Sequence, residues 1–210
     1  MSRFKNFAII FFLIALITGT VFFLVIGTNS PSDLNVFSEG KIETVSGLPE
    51  NYDSFKLQIN GKLYNMPLSV EKIEKLGFRP AINYDNREIA ADTLTTDTYE
   101  YYSSTDESKI EIGFYNPLDE TKKVKNCKIS SLLVKKTQLK DNSVQIVFPG
   151  GIQIGSTFQK VKNAYGKYSN IYKDENYTVY TWQSENQNMV KIHIDNKTNR
   201  VSEMFMQKVY

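Results

Sequence analysis

The chain has 210 residues, of which 25 are lysine or arginine and 23 are aspartate or glutamate, giving a formal net charge of +2. This balance excludes the large positive excess with which proteins bind nucleic acid. The ordinary hydrophobic and aromatic content excludes a largely disordered chain, and the single cysteine, Cys127, excludes an intrachain disulfide.

The first predicted element is an apolar segment near the N-terminus. From Phe7 to Gly27, the sequence FAIIFFLIALITGTVFFLVIG contains no charged residue. As a helix it would extend about 31 Å, which matches a bilayer core. Because Arg3 and Lys5 precede it, we predict a single-pass cell-membrane anchor with a cytoplasmic N-terminus and residues 28–210 extracytoplasmic. Cleavage as a signal peptide, followed by secretion, is the alternative.

A linker and a β-hairpin follow the apolar segment. Residues 28–52 are rich in Ser, Pro, Gly and Asn, a composition typical of a linker. Apolar and polar residues alternate after it, and Asn60-Gly61 is typical of a two-residue hairpin turn. This turn is predicted to pair Leu57 with Tyr64.

The first half then continues with a helix and several strands. The sequence between Ser69 and Gly77 predicts a short helix with a serine cap and a terminal glycine. Alternating segments predict strands at residues 98–103, 109–116 and 124–134. In the strand at residues 124–134, the side chains of Cys127, Ile129 and Leu133 are predicted to lie on one face.

The second half repeats this order. A strand pair around Pro149-Gly150-Gly151 leads into a helix at residues 156–166, and three strands follow. The glycines here do not form a phosphate-binding loop of the Walker type, because Ser156 stands where that loop requires lysine. We therefore predict an α+β fold: an N-terminal transmembrane helix at residues 1–27, a linker, and two degenerate hairpin–helix–antiparallel-sheet units at residues 53–140 and 141–210.

The second unit resembles a known family. PGGIQIGSTFQKVKNAYGKYSNIY, followed by YTVYTW and RVSEMFMQ, is similar to the repeat of beta-lactamase-inhibitor-protein-like domains and of related small outer-membrane assembly lipoproteins. The shared pattern is a helix entry with glycine and threonine, a helix ending in Tyr-Gly, and antiparallel strands. It is carried by Ile154, Gly155, Thr157, Val161, Tyr165 and Gly166. The upstream half looks like the partner region in Gram-positive surface proteins. The resemblance implies a helical layer against a sheet whose other face grips a protein partner, and no catalytic residues.

The residues that carry chemistry in other proteins do not form a recognisable active site in this sequence. His193 and Cys127 are the only histidine and cysteine, which leaves no cluster for zinc. Asp106, Glu107 and Glu111 are candidates for a carboxylate pair, but the first two lie in a predicted turn. We therefore predict no catalytic, metal or cofactor-binding residue, and a protein that is not an enzyme.

Two groups of residues are candidates for binding a partner. Tyr180 and Trp182 share one face of a predicted strand, with Tyr177 on the opposite face, and aromatic residues of this kind often anchor interfaces. The second group, Lys122, Lys123 and Lys125, begins a lysine-rich region that extends to Lys140 and could meet anionic wall polymers or lipid headgroups.

The sequence thus predicts a membrane-anchored, non-catalytic interaction module that binds another envelope protein. The alternative is an envelope-assembly or anionic wall-polymer-binding factor that uses the Lys122–Lys140 region.

Overall fold

The computed structural model describes residues 42–84, 86–140, 144–184 and 186–209. The predicted anchor at residues 7–27 and the first part of the predicted linker lie outside these ranges. Among the residues that are described, no helix is long and apolar enough to cross a bilayer.

The described chain contains two α-helices, α1 (Val70–Lys75) and α2 (Phe158–Tyr165). Its strands are β1 (Lys56–Ile59), β2 (Lys62–Asn65), β3 (Leu68–Ser69), β4 (Phe78–Pro80), β5 (Glu88–Ile89), β6 (Thr93–Leu94), β7 (Tyr99–Ser103), β8 (Lys109–Asn116), β9 (Lys122–Lys123), β10 (Lys128–Lys135), β11 (Ile146–Val147), β12 (Asn170–Lys173), β13 (Tyr177–Gln183), β14 (Met189–Asp195) and β15 (Arg200–Gln207). Short 3-10 turns lie at Tyr52–Ser54, Val124–Asn126, Lys136–Gln138 and Pro149–Gly151.

The predicted α+β fold class is wrong, because the described part of the chain is predominantly β. Its two helices have six and eight residues, so the longer one extends only about 12 Å, or between two and three strand spacings. Helices of this length do not form a layer that covers a wide sheet. A smaller sheet, in the order β11-β1-β2, is also present.

Ten strands form one continuous antiparallel sheet, the main sheet. Eight of them follow the order β12-β13-β14-β15-β10-β8-β7-β4, while β3 pairs with β10 and β6 pairs with β8. It combines two meanders, one from each half of the chain. They join where β10 pairs with β15, from Ser131 opposite Gln207 to Lys135 opposite Glu203. The halves also meet in the smaller sheet, where β1 pairs with β11. Strand pairing therefore crosses the predicted boundary at residue 140 in two places.

The hydrophobic core lies against one face of the main sheet. This inner face contributes buried side chains from its central strands, namely Ile112, Leu132, Val134, Val190, Ile192, Met204 and Met206. Leu57 of β1, Ile73 of α1 and Val161 of α2 belong to the same hydrophobic cluster. Each fully buried side chain of this kind contributes roughly 1.5–3 kcal/mol relative to exposure, so the shared core strongly favours one packed unit.

Local sequence signals place both helices and the first hairpin. The Ser69 and Thr157 hydroxyls accept hydrogen bonds from backbone N–H groups in the first turns of α1 and α2. Gly77 and Gly166 follow the two helices with positive φ angles of 90° and 66°. Leu57 pairs with Tyr64 as the hairpin turn predicts. These parts of the prediction are confirmed.

A β-bulge changes the face on which part of β10 lies. The pairing of β10 with β8 shifts register between Ile129 and Ser131. As a result, Ile129, Leu132 and Val134 are buried, whereas Leu133 lies on the outer face. The prediction that Leu133 shares a side with Ile129 is therefore wrong, because one extra residue inverts the alternation.

The turn at Pro149–Gly151 packs closely against α2, and glycine substitutions test this contact. A Cβ atom on Gly150 would lie 2.5 Å from the Cβ of Ala164 in α2 and 3.1 Å from the Glu50 carbonyl oxygen. Gly61 has a similar positive φ, but a Cβ there would meet no atom within 4 Å. We expect Gly61→Ala to cost about 1 kcal/mol through backbone strain alone, and Gly150→Ala to cost about 3 kcal/mol.

Chemical denaturation followed by far-ultraviolet circular dichroism would measure both free energies of unfolding. Equal losses in the two variants would contradict the close approach of the turn to α2.

Candidate functional site

The outer face of the main sheet forms a continuous and partly exposed surface, which we call the open face. It is lined by Glu100, Lys109, Glu111, Leu133, Lys135, Tyr172, Tyr177, Val179, Lys191, His193, Glu203 and Phe205. None of these side chains belongs to the hydrophobic core cluster. The open face therefore presents aromatic, aliphatic and charged groups side by side. Among the described residues, no element buries these side chains as a group.

Aromatic rings occupy the β12–β13 end of the open face. Tyr172 is 58% exposed and Tyr177 is 36% exposed, and their ring centroids are 6.3 Å apart. The Tyr177 ring also stacks on the His193 imidazole at 5.6 Å with an interplanar angle of 18°. Three adjacent strands thus contribute one row of rings with an apolar surface and polar edges.

His193 and Glu203 lie next to each other in the middle of the open face. His193 Nε2 lies 3.2 Å from Glu203 Oε1. Burial, with help from the nearby charges of Lys191 and Lys135, lowers the pKa of His193 to about 4. Burial also raises the pKa of Glu203 above its usual value. At neutral pH the imidazole is therefore neutral.

Glu111 is the most buried charged group on this surface. Its carboxylate accepts hydrogen bonds from Lys135 Nζ at 2.8 Å, Gln138 Nε2 at 2.7 Å and Thr98 Oγ1 at 2.7 Å. Burial alone raises the pKa of Glu111, but these three donors outweigh it and hold the pKa at about 2. Glu111 is thus held by three hydrogen-bond donors within the fold, and its carboxylate is ionised at all physiological pH values.

Apolar contacts fill the space between the charged groups. Phe205 of β15 lies opposite Leu133 of β10 on one side and Lys191 of β14 on the other. The Lys191 ammonium lies 5.6 Å from the centroid of the Phe205 ring, a cation–π distance. The bulge in β10 makes this arrangement possible, because it turns Leu133 toward Phe205.

The aromatic pair predicted to bind a partner faces the core instead. Trp182 is 1% exposed, and its ring makes an edge contact with Tyr165 of α2 at 5.2 Å. Tyr180 stacks on Phe158 at 4.4 Å and is only partly exposed. Trp182 cannot anchor a partner without unfolding, since both rings fix α2 to the sheet. Tyr177, which alternates with them on β13, lies on the open face.

The lysine-rich region does not form a single cluster. Lys122 pairs with Glu120, whereas Lys123 and Lys125 are exposed at and just after β9. Lys135 lies at the far end of β10, about 24 Å along the strand from Lys128, and pairs with Glu111. The lysines are therefore divided between the separate β5–β9 pair and the two ends of β10 in the main sheet.

The remaining candidate residues are not brought into a site. Cys127 is 2% exposed, and burial raises the pKa of its thiol, which disfavours the reactive thiolate. Asp106 Oδ1 accepts a hydrogen bond from Ser108 N in the turn before β8, and Glu107 lies in the same turn. Glu111, in contrast, is held by Lys135 on the open face.

Sequence reasoning missed Phe205, Leu133 and Glu203 as members of a surface. The available signal was alternation in β14 and β15, which separates Lys191, His193 and Phe205 from the buried residues between them. Alternation does not say which of two mixed faces is buried, and the bulge in β10 gives no clear sequence signal.

The chain matches no protein-family model, no curated protein and no solved structure. Its resemblance to beta-lactamase-inhibitor-protein-like domains therefore stays a prediction.

The contrast between a core-facing aromatic ring of β13 and an open-face ring of β12 can be measured as a difference in the free energy of unfolding. We expect Trp182→Ala to lower the free energy of unfolding by about 3–5 kcal/mol, because it leaves a large cavity beneath α2. Tyr172→Ala should change it by no more than about 0.5 kcal/mol, because that ring is mostly exposed. Chemical denaturation followed by circular dichroism would measure both, and a small effect at Trp182 would contradict its burial.

The Glu111 network predicts a specific pH dependence. The folded-state pKa of about 2 lies below the ordinary value for glutamate, so Glu111 stabilises the fold above about pH 5. This contribution is lost as the pH falls through about 2. In Glu111→Gln, the free energy of unfolding should therefore decline less steeply than in the wild type between about pH 5 and pH 2.

Denaturation curves at a series of pH values would test this directly. Besides burial, the Glu111 charge helps to raise the pKa of Glu203, so the same comparison is repeated in a Glu203→Gln background to separate the two groups. Parallel pH profiles would show that the carboxylate of Glu111 is not preferentially ionised in the fold.

Proposed function

We propose that this protein is a non-catalytic interaction module that binds a folded protein partner through the open face. The observation that carries the proposal is a wide outer sheet face on which aromatic and aliphatic side chains remain partly exposed beside charges of both signs, several of which are already paired.

The size of the open face suits a protein partner. Its five longest adjacent strands, β13 to β15 with β10 and β8, extend over roughly 24 Å by 24 Å, or about 600 Å². The flanking strands β12 and β7 enlarge this area. A standard protein interface buries about 800 Å² on each partner, so the dimensions are of the required order.

The side chains on the open face are of the kind that interface centres use. Tyr172 and Tyr177 offer large rings with polar edges at one end, and Phe205 with Leu133 offers an apolar centre. Aromatic residues are enriched in the energetically dominant parts of interfaces. Partial exposure of several such groups on one surface favours binding over a purely solvated sheet.

The charges on the open face favour a protein over an anionic polymer. Lys135 pairs with Glu111, and Lys109 pairs with Glu100 at 2.5 Å. A polyanion is best bound by basic groups that lack internal partners, because its affinity comes from neutralising its charges. A partner of mixed composition fits a surface whose charges are already balanced.

Both outer edges of the main sheet disfavour binding by strand addition. At β12, the Asn170 side chain accepts a hydrogen bond from the Ile171 backbone N–H at 2.8 Å. At β4, Pro80 has no N–H to donate. Since exposed edges are the usual template for strand addition, the face is the more suitable surface for a partner.

The arrangement around His193 supports a non-catalytic role. The nearby Ser202 hydroxyl donates to the His193 backbone carbonyl at 3.4 Å, and not to the imidazole. A Ser–His catalytic pair requires the serine hydroxyl to hydrogen-bond to the imidazole. The predicted location at the cell membrane rests on residues 7–27 and remains a prediction.

A crosslinking pulldown from membrane and wall fractions would test the proposed function. The bait is the full chain in detergent, compared with a double variant, Tyr172→Ala with Tyr177→Ala. We expect the double variant to lose at least about tenfold of a specific protein partner, because two interface aromatics typically contribute more than about 1 kcal/mol each.

The matched control is Tyr168→Ala, which removes a 38% exposed tyrosine whose ring contacts Tyr180 on the other face of the sheet. It should capture the partner as the wild type does. Equal capture by all baits would contradict the open face as the binding surface. Salt-sensitive capture of anionic polymer alone would instead favour the lysine-rich region.

A further inference from the structure

Two rows of side chains cross the central strands of the open face. In the first row, Glu111 of β8 lies opposite Leu133 of β10, and Leu133 lies opposite Phe205 of β15. Lys191 of β14 completes this row beside Phe205. The first row therefore has two apolar side chains at its centre, an anion at its β8 end and a cation at its β14 end.

The second row lies two residues further along each strand. Lys135 of β10 lies opposite Glu203 of β15, and Glu203 lies opposite His193 of β14. The line between β10 and β15 thus separates a cation from an anion in this row. It separates an anion from a cation in the first row, so both rows carry opposite charges on the two sides of one line.

This arrangement of charges complements a copy of itself. A two-fold axis above the line between β10 and β15, parallel to both strands, places β10 over β15 of a second copy and β8 over β14. Each copy then supplies the groups that complement the other. One apolar and two ionic contacts form across the interface, each of them twice: Leu133 over Phe205, Glu111 over Lys191, and Lys135 over Glu203.

A two-fold axis that runs across the strands gives a poor match, because it places each strand over itself. Between the two rows, such an axis would put Leu133 over Lys135 and Phe205 over Glu203, so that apolar groups would cover charges. Along the first row, it would put Lys191 over Lys191, and like charges placed opposite each other oppose association. The charged and apolar groups therefore favour the axis parallel to the strands.

The parallel axis also covers aromatic rings at both ends of the open face. It places β7 over β13 of the second copy. Tyr102 of β7 is 38% exposed and alternates with the buried Tyr101, so its ring lies on the outer face. This ring meets the strand that carries Tyr177. Packed sheets lie about 10 Å apart, a distance that large side chains from both faces fill.

We infer that the protein partner of the open face is a second copy of this chain, bound in an isologous dimer through Leu133, Phe205 and the ionic contacts beside them. The inference rests on the proposed function and names its partner. Because both copies use the same surface, their interface areas match, and two-fold dimers are the commonest symmetric assemblies of soluble proteins.

Sedimentation equilibrium of the full chain in a density-matched nonionic detergent would test this inference. We expect the wild type to be a dimer. Phe205→Ala should weaken the dimer at least about tenfold, because the two-fold symmetry removes the contact twice and aromatic residues dominate interface energies. Tyr168→Ala, on the other face of the sheet, is the matched control and should dimerise as the wild type does. Circular dichroism would confirm that each variant is folded.

Cysteine crosslinking would test how the two copies are oriented. Within one chain, β7 and β13 are five strand positions apart, or about 24 Å. In the dimer, Tyr102 of one copy lies near Val179 of the other. After subunit exchange, a bismaleimide should therefore crosslink a mixture of Tyr102→Cys and Val179→Cys chains, and neither variant alone. The wild type, whose only cysteine is the buried Cys127, is the control.

Three results would overturn the inference. They are a monomeric wild type, a dimer that Phe205→Ala does not weaken, or crosslinking of either single variant that equals that of the mixture. Association through residues 7–27 alone would give the second result. The pulldown tests the proposed function separately, because a monomer that still captures a different protein through the open face overturns only the second copy as partner.

Discussion

The pairing of β10 with β15 is the interaction on which the architecture depends. It joins a meander from the first half of the chain to one from the second, through five consecutive residue pairs. Without it, each meander would expose a long edge strand, which is a common site of aggregation. With it, one sheet has a single inner face, and both halves bury their apolar residues against the same core. The outer face becomes continuous for the same reason, since cross-strand neighbours such as Leu133 and Phe205 come from different halves.

A wide sheet with short helices also determines which residues remain for binding. Because α1 and α2 are short, the inner face is covered by helices and strands together, and aromatic rings fill the remaining depth. Trp182 and Tyr165 illustrate this, since their edge contact fixes α2 to β13. The aromatic residues that are conspicuous in the sequence are therefore divided between core and surface. Tyr177 lies on the open face because successive residues of a strand alternate between its two faces, and Trp182 lies on the inner one.

The parts of the fold that could be predicted from the sequence are those with strong short-range signals, such as turn residues, helix caps and long alternating strands. The Asn60-Gly61 turn, the hydroxyl caps of both helices and the long strands β8 and β14 carry strong short-range signals, and all were predicted near their observed positions. The strands β3, β4, β5, β6, β9 and β12 were not, because runs of two to four residues show too little periodicity unless a turn signal such as Asn60-Gly61 lies beside them. The predicted α+β class was wrong because two short capped helices were interpreted as a helical layer that covers the sheet. The candidate site failed at Trp182, since period-2 alternation separates two faces without identifying the buried one.

The two faces of β13 show how one strand serves both the core and the open face. On its inner face, Tyr180 stacks on Phe158 and Trp182 contacts Tyr165, so α2 is fixed there. The alternate residues of β13 line the open face, where Tyr177 lies beside Tyr172 of β12. The strand is paired with β12 on one side and with β14 on the other, so its alternation cannot be inverted without breaking both sets of hydrogen bonds. Removing a ring from the open face therefore leaves the contacts of α2 intact, and this is why binding and stability can be tested on separate faces of the same strand.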